Sequence, residues 1–177
     1  ETYQKILAEA MEELGAESGI TTRSSNDNFV SDCTIETDQL ALIPDSYIDM
    51  TAEKIRIYKE LDSLSSDKEA EILKGKLSDR FGPLPEELIR LFDIVKIRQT
   101  GQKLGFEKII IKNGVMIAFF ISNPLSQYYR SDMFSRILEN VSLNPKLFEL
   151  KHNDNRLRVF SRNVDSLSKA YSILKKL

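Results

Sequence analysis

Few side chains in this 177-residue sequence could do chemistry. It has one histidine, His152, and one cysteine, Cys33, too few soft ligands for a structural zinc site and too few thiols for an internal disulfide. His152 falls in a predicted hairpin turn, and Cys33 falls in a predicted strand, where a thiol usually acts as a small apolar residue. We therefore expect no catalytic, cofactor-binding or metal-binding site in this chain.

Two glycine-containing segments could be taken for ligand-binding motifs. Gly75-Lys76 is followed by Leu77 and has no glycine at the required earlier position, so it is not the phosphate-binding loop of an ATPase. Gly101 and Gly105, at the end of a predicted helix, favour close packing and a helix terminus over a nucleotide-binding fingerprint. We expect the chain not to hydrolyse ATP by itself.

The remaining chemical pattern is basic. Arg156, Arg158 and Arg162 lie two and four positions apart, so on a strand they share one face, and Tyr128 and Tyr129 could supply stacking groups. The net charge is −2 overall, but −9 in the first 50 residues and +6 in the last 71. A nucleic-acid-binding module is one interpretation. The alternatives are two solvated surfaces of opposite charge, or attraction between the acidic and basic ends.

A rigid corner between two helices is predicted at residues 77–88. Gly82 permits the left-handed backbone that commonly closes a helix after Phe81, and Pro83 prevents its continuation. Pro85 suits the first turn of the next helix, where its missing N–H is not needed. The preceding helix is indicated by apolar residues at three- and four-residue steps: Ala70, Leu73, Leu77 and Phe81.

The first quarter of the chain is predicted to be its least regular part. Residues 1–14 have the apolar spacing of a helix, and residues 15–30 are small and polar, as in a flexible connection. Alternating apolar and polar residues predict a short strand over 31–38. The segment 41–48 is apolar, interrupted by a proline and closed by an aromatic, which favours an ordered loop held against the core.

Three helices, at 52–64, 67–81 and 85–104, are predicted to form a compact unit with the short strand, over residues 31–106. The third helix is so apolar that it should be central and mostly buried. Thr51 is the expected cap of the first helix. The residues of that helix expected to face inward recur at three-residue steps: Ile55, Tyr58, Leu61 and Leu64.

Residues 107–177 show the order strand, strand, helix twice. Asn113-Gly114 between two β-branched runs is a strong hairpin signal, a second hairpin is predicted around 152–155, and Asp165 is the expected cap of the last helix. The predicted fold class is α+β. A helical unit of three to four helices is followed by two strand-strand-helix units that form a small, four-stranded antiparallel sheet with helices on one face.

Four segments follow one another in a specific order. They read Ala41-Leu42-Ile43-Pro44-x-x-Tyr47-Ile48, Ile55-Arg56-Ile57-Tyr58-Lys59, Asp79-Arg80-Phe81-Gly82-Pro83-Leu84-Pro85-Glu86-Glu87 and Lys103-Leu104-Gly105-Phe106-Glu107-Lys108-Ile109. This succession resembles the C-terminal (TRCF) domain of bacterial transcription-repair coupling factor. Residues 1–14 also resemble the linker helix through which the motor of that family passes into its last domain.

The resemblance implies a regulatory module. In that family the full-length protein is a translocase on duplex DNA, driven by ATP with magnesium, that removes stalled RNA polymerase and recruits excision repair. Its C-terminal domain clamps onto an N-terminal module similar to UvrB, an autoinhibitory contact that hides the surface for UvrA and restrains the motor. The chain itself is then not an enzyme.

The resemblance also assigns candidate contact residues. Acidic residues on the helix that leads into the corner contribute to the family's clamp by pairing with basic residues of the N-terminal module. Asp79 matches one such position, Arg80 follows it, and Lys76 stands where an acid would help. These three are the expected partner-binding residues, while the corner residues Phe81, Gly82, Pro83 and Pro85 are expected to be architectural.

The sequence also bears on location. No apolar run reaches the length needed to cross a bilayer, and no basic-then-apolar leader is found. The chain begins at Glu1 without a methionine, and we expect a cytoplasmic piece of a longer protein without membrane contact.

Overall fold

The computed structural model describes residues 29–177. The predicted helix at 1–14 and the predicted connection at 15–30, except its last two residues, lie outside this range. The strands are β1 (Thr34–Thr37), β2 (Lys108–Lys112), β3 (Val115–Phe119), β4 (Glu149–Asn153) and β5 (Arg156–Arg162). The helices are α1 (Thr51–Ser63), α2 (Asp67–Phe81), α3 (Glu86–Leu104), α4 (Asp132–Leu143) and α5 (Leu167–Leu174), with a 3-10 turn at Gln127–Arg130.

Helices α1, α2 and α3 enclose one hydrophobic core. The three helices agree with the predicted ones to within a residue at each end. The loop 41–48 closes this core through Ile43 and Ile48, which are 2% and 4% exposed, so the prediction of an ordered loop is confirmed. The core consists of apolar side chains from all four segments: Ile43, Ile48, Ile57, Leu61, Ala70, Leu73, Leu77, Leu88, Phe92 and Val95.

Two predictions about α1 are wrong. Met50 occupies the N-cap position without a side-chain hydrogen bond, and Thr51 is the first helical residue. Ile55 is 50% exposed, whereas Ile57 is 1% exposed. Because a two-residue step turns a side chain by about 200° around a helix, both isoleucines cannot face the core. Ile57 does so, in line with Leu61 one turn later.

The sheet has five strands in the order β1-β2-β3-β5-β4. The pairs β2–β3, β3–β5 and β5–β4 are antiparallel, as predicted. Strand β1 joins the edge parallel to β2, with Thr34 opposite Lys108, so the sheet is mixed and the expectation of a purely antiparallel sheet is wrong. The helical unit lies between β1 and β2 in the chain, which gives the long crossover that parallel neighbours require.

Both predicted hairpins are confirmed. Asn113 and Gly114 have φ values of 53° and 74°, and Asp154 and Asn155 have 51° and 59°. Two consecutive positive φ values are those of the tight turn that matches the twist of a two-residue hairpin. The turn is shorter than predicted at its N-terminal side, because His152 belongs to strand β4.

Helices α3, α4 and α5 share a second core with one face of the sheet, as the prediction of helices on one face requires. The sheet residues of this core alternate along their strands: Ile109, Ile111, Met116, Ala118 and Val159. Helix α5 is capped by Ser166, whose hydroxyl accepts a hydrogen bond from the Lys169 N–H at 3.1 Å, so the assignment of Asp165 as the cap is wrong by one residue.

The sheet core extends to the first described residues. Val30 is 7% exposed, and the ring of Phe29 lies 5.4 Å from that of Tyr128. The predicted flexible connection at 15–30 is therefore too long at its C-terminal end, because its last two residues pack against the fold.

The two glycines near the end of α3 are confirmed as packing and terminating residues. A Cβ atom on Gly101 would lie 2.8 Å from Cδ1 of Ile109 and 2.9 Å from Sγ of Cys33. Gly105 ends the helix in the left-handed conformation, with φ 91° and ψ 24°. A Cβ atom there would lie 2.2 Å from Cε2 of Tyr128.

We predict that Gly105→Ala lowers the free energy of unfolding by about 3 kcal/mol, because it combines left-handed strain with overpacking against Tyr128. The matched control is Gly75→Ala within α2, where a Cβ atom meets nothing within 4 Å. That change should raise stability by about 0.5–1 kcal/mol, because alanine favours a helix over glycine. Urea denaturation of both variants measures the difference, and equal effects would contradict the packing described for Gly105.

Candidate protein-interaction surface

The corner between α2 and α3 is set by backbone geometry. Gly82 follows the last residue of α2 with φ 93° and ψ −173°, a conformation open almost only to glycine, and its N–H donates to the Ser78 carbonyl at 2.9 Å. The sequence predicts the positive φ but not the extended ψ. Pro85 was predicted to be the first residue of α3 but is its N-cap, one position before the helix. Its carbonyl accepts a hydrogen bond from the Leu88 N–H at 3.1 Å.

A tyrosine from the loop 41–48 braces this corner. The Tyr47 hydroxyl lies 3.1 Å from the carbonyl oxygen of Leu77 and 2.8 Å from that of Gly82, and its ring centre lies 5.9 Å from that of Phe81. Burial raises the pKa of Tyr47 above its usual value, so the hydroxyl keeps its proton for these carbonyls. The loop 41–48 therefore holds the end of α2.

Arg80 is used within the fold. Its Nη1 lies 2.5 Å from Oε1 of Glu53 on α1, and its guanidinium lies 4.9 Å from the centre of the Phe81 ring. Glu53 also pairs with Arg56, and the hydrogen bond from Arg56, with the charges of both arginines, lowers the pKa of Glu53. The structure thus places Arg80 in an ion pair between α2 and α1.

Asp79 and Lys76 have no such partners. Both side chains are exposed, and neither makes a hydrogen bond or an ion pair with a residue in the range 29–177. Ile72, which is 51% exposed, lies four residues before Lys76, so the three side chains follow one stripe of α2. A shallow groove of about 200 Å³ runs beside this stripe between α1 and α2; it is lined by Glu60, Ser63, Leu64, Glu69, Ile72, Leu73 and Lys76.

We call this stripe, Ile72, Lys76 and Asp79, the α2 stripe. It combines an exposed apolar side chain with one unpaired charge of each sign on a helix whose end is braced. Such a surface suits recognition of another protein, since exposed groups on a rigid element lose little freedom on binding. Sequence reasoning missed Ile72, although its four-residue spacing from Lys76 could have been read from the chain.

The predicted basic residues lie elsewhere, on the sheet. Arg156, Arg158 and Arg162 alternate along β5 and project from the face opposite the buried core, as their spacing predicts. Of the two tyrosines expected beside them, Tyr129 lies close enough to Arg156 for the arginine charge to act on the tyrosine pKa, whereas Tyr128 does not join them. Tyr128 is fully buried, its hydroxyl donates to the Leu104 carbonyl at 2.5 Å, and burial raises its pKa.

Tyr129 bonds through its hydroxyl to the Ile121 carbonyl and packs on the same core. Two further aromatic rings, which sequence reasoning missed, lie on the same face as the arginines. Arg158 lies over the ring of Phe119, and Lys151 lies over the ring of Phe160. Phe160 is two residues from Arg158 and from Arg162, so strand alternation alone places it on their face.

Cys33 and His152, the two residues with reactive side chains considered in the sequence, lie in different environments. Cys33 is fully buried, and desolvation, with a smaller contribution from Asp32, raises its pKa to about 12, so the prediction of a small core residue is confirmed. His152 is exposed on β4. Within residues 29–177 no group of three or more His, Cys, Asp or Glu side chains could hold a metal ion, and no helix is long and apolar enough to cross a bilayer.

The chain is similar to known proteins in family, in sequence and in fold. The family model for the TRCF domain matches residues 37–131. The transcription-repair-coupling factor of Rickettsia typhi is 34% identical over 166 residues, which are 93% of this chain and 14% of that protein. The Escherichia coli K12 protein of the same name is 33% identical over 108 residues, 60% of this chain and 9% of that protein.

A solved structure extends the comparison to the fold. The crystal structure of the C-terminal domain of transcription-repair coupling factor superposes with a TM-score of 0.65 at 19% identity, covering 84% of this chain and 94% of that one. At this identity the likeness concerns the fold alone, and it agrees with the α+β class. The chain spans about one seventh or less of the length of the curated relatives described above.

We predict that Tyr47→Phe lowers the free energy of unfolding by about 1–2 kcal/mol, because two partly buried carbonyls at the corner lose the single O–H that they share. Tyr171→Phe is the matched control. Its hydroxyl bonds an exposed carboxylate, that of Asp67, at 3.1 Å, and the loss should stay within about 0.5 kcal/mol. Urea denaturation compares the two, and a loss no larger for Tyr47→Phe would show that Tyr47 does not brace the corner.

A second prediction concerns the single thiol. Because the raised pKa suppresses the thiolate and the core excludes reagents, Cys33 in the folded chain should react with iodoacetamide at least about 100-fold more slowly at roughly pH 8.5 than in urea. Mass spectrometry over time measures both rates. Similar rates in the two states would mean that the thiol is accessible, against the burial described.

Proposed function

The chain belongs to the TRCF domain family, the C-terminal domains of transcription-repair coupling factors, and from this premise we propose that it acts as an autoinhibitory interaction domain. Its proposed partner is the N-terminal UvrB-like module of its own parent protein. The contact would mask the surface of that module that binds UvrA, and would restrain the parent's translocase until RNA polymerase is engaged.

The proposal assigns the chemistry to other parts of the parent. ATP and magnesium act in the motor domains, and duplex DNA and RNA polymerase are partners of the whole protein. The present chain contributes binding only. It is a regulatory piece of an enzyme and is not itself the enzyme.

One observation carries the proposal: Asp79 is exposed, without a partner among residues 29–177, on a helix end that the rest of the described chain holds fixed. Its neighbour Arg80 pairs with Glu53 at 2.5 Å, so in the last turn of α2 Asp79 is the charge that has no partner among residues 29–177. An acid at this position is the feature that the family uses to meet basic residues of the N-terminal module.

The expected binding free energy from the α2 stripe is modest. An exposed ion pair contributes about 1 kcal/mol or less, and it weakens as salt rises. Covering the exposed part of Ile72 adds about 1 kcal/mol of hydrophobic stabilisation. Because Lys76 is positive, it repels a basic partner, and the electrostatic attraction in the contact therefore depends on Asp79. A contact of this size holds while the two modules are tethered, and competition from another partner releases it.

We predict that Asp79→Arg weakens binding of this chain to the isolated N-terminal module by about five- to tenfold, because an attraction becomes a repulsion. Titration calorimetry at low and at physiological salt measures the dissociation constant. The loss should be larger at low salt, since the effect is electrostatic.

The matched control is Glu139→Arg, which reverses an exposed charge on α4 away from the α2 stripe. It should change the dissociation constant by less than about twofold. Thermal denaturation of both variants should match that of the original chain. Equal weakening by the two variants would leave only a general effect of net charge and would contradict a specific role for Asp79.

A further inference from the structure

The face of the sheet opposite the helices carries a second, chemically distinct surface. Strand alternation places Ile110, Ile117, Phe119 and Phe160 on this face, and each is only partly buried. Within residues 29–177 the helices share their core with the other face of the sheet. We call this surface the open sheet face. It is apolar and partly aromatic at its centre.

Basic side chains surround that centre. The guanidinium groups of Arg156 and Arg158 lie 5.0 and 5.2 Å from the centre of the Phe119 ring, and Nζ of Lys108 lies 6.0 Å from it. Nζ of Lys151 lies 4.6 Å from the centre of the Phe160 ring. Two aromatic rings on neighbouring strands are thus each covered by cations.

The basic groups are only partly neutralised. Glu36 pairs with Lys108 at 2.9 Å and with Lys112 at 3.7 Å, and Glu107 pairs with Arg156 at 2.8 Å. Glu149 pairs with Lys151 at 3.8 Å and with Arg162 at 3.6 Å, so three carboxylates are shared among five basic groups. Arg158, at the middle of the face, makes no ion pair with a described residue, and its buried Nε has no hydrogen-bond partner in that part of the chain. Six basic side chains line the face and its edges: Lys108, Lys112, Lys151, Arg156, Arg158 and Arg162.

This combination fits one class of ligand. A single nucleic-acid strand offers bases that stack on aromatic rings and guanidinium planes, and phosphates that pair with cations around them. A duplex keeps its bases stacked inside and would use only the cations. An acidic polypeptide would satisfy the charges but offers no planar groups to Phe119 and Phe160.

We infer that the open sheet face binds single-stranded nucleic acid. Phe119 lies opposite Arg158, and Ile117 lies opposite Phe160, so the two phenylalanines are diagonal neighbours, whose Cα atoms lie roughly 7–8 Å apart in a regular sheet. Two consecutive unstacked bases fit over such a pair by stacking on the rings or on the guanidinium planes that cover them, with Arg158 as the phosphate or base partner. This surface shares no residue with the α2 stripe, so it stands or falls independently of the proposed function.

The test uses the whole 177-residue chain and a fluorescein-labelled oligothymidine of about 20 nucleotides, with fluorescence anisotropy as the readout. Binding should weaken by at least about tenfold between about 50 and 200 mM salt, because phosphate contacts release counterions. A duplex of equal length should bind at least about fivefold more weakly than the single strand.

Two variants separate stacking from charge. Phe160→Ala should raise the dissociation constant by about fivefold or more through lost stacking, and Arg158→Glu by about tenfold or more. The matched charge control is Lys176→Glu, at an exposed lysine beyond α5, which should change it by less than about twofold. Thermal denaturation checks that each variant is folded. If Phe160→Ala does not fold, Arg158→Glu and the duplex comparison still decide the question.

Three results would overturn the inference. One is the absence of saturable binding to the single strand at low salt. Another is binding that Phe160→Ala and Arg158→Glu leave unchanged. The third is equal affinity for the duplex, or equally effective displacement by polyglutamate, because either would reduce the face to a general anion-binding surface or to a site for an acidic protein.

Discussion

Helix α3 is the element on which both halves of the domain depend. Leu88, Phe92 and Val95 pack in the core of the helical unit, while Ile97 and Gly101 lie in the second half of the helix, against the sheet. A helix buried on two sides cannot shift toward one core without opening the other. The position of the corner that precedes α3 therefore follows from packing on both sides of the molecule.

This constraint separates the residues that stabilise the fold from the residue proposed to contact a partner. The side chains that hold the corner, Tyr47 and Phe81, are partly buried, and the charge next to them, Arg80, is used by Glu53. What remains outside is Asp79, whose loss costs the fold little because exposed charges contribute little to stability. The surface can therefore evolve toward a partner while the core stays unchanged. The same holds for the open sheet face, because its arginines lie outside both cores and can change without altering them.

Local signals predicted most of the elements, and long-range packing decided the rest. Gly82 and Asn113-Gly114 predicted the corner and the first hairpin because both turns require a positive φ, which these residues adopt and few others do. The parallel pairing of β1 carries no local signal, since its partner strand lies beyond three helices. Tyr128 was wrongly expected beside the arginines because burial depends on which face the neighbouring elements cover. Strand alternation does place Phe160 beside them. For the α2 stripe, the family resemblance singled out Asp79 as a candidate, and the structure shows that its neighbour Arg80 pairs with Glu53.

The most direct test of the central claim is a charge-exchange cycle between this chain and the isolated N-terminal module. Asp79→Arg would be combined with acidic replacements of the module's exposed arginines and lysines, one at a time, and the dissociation constants measured for each single and double change. We predict that one exchange recovers affinity, with a coupling energy of about 0.5 kcal/mol or more. Strict additivity for every exposed arginine and lysine of the module would contradict an ion pair at Asp79 and, with it, the proposed autoinhibitory contact.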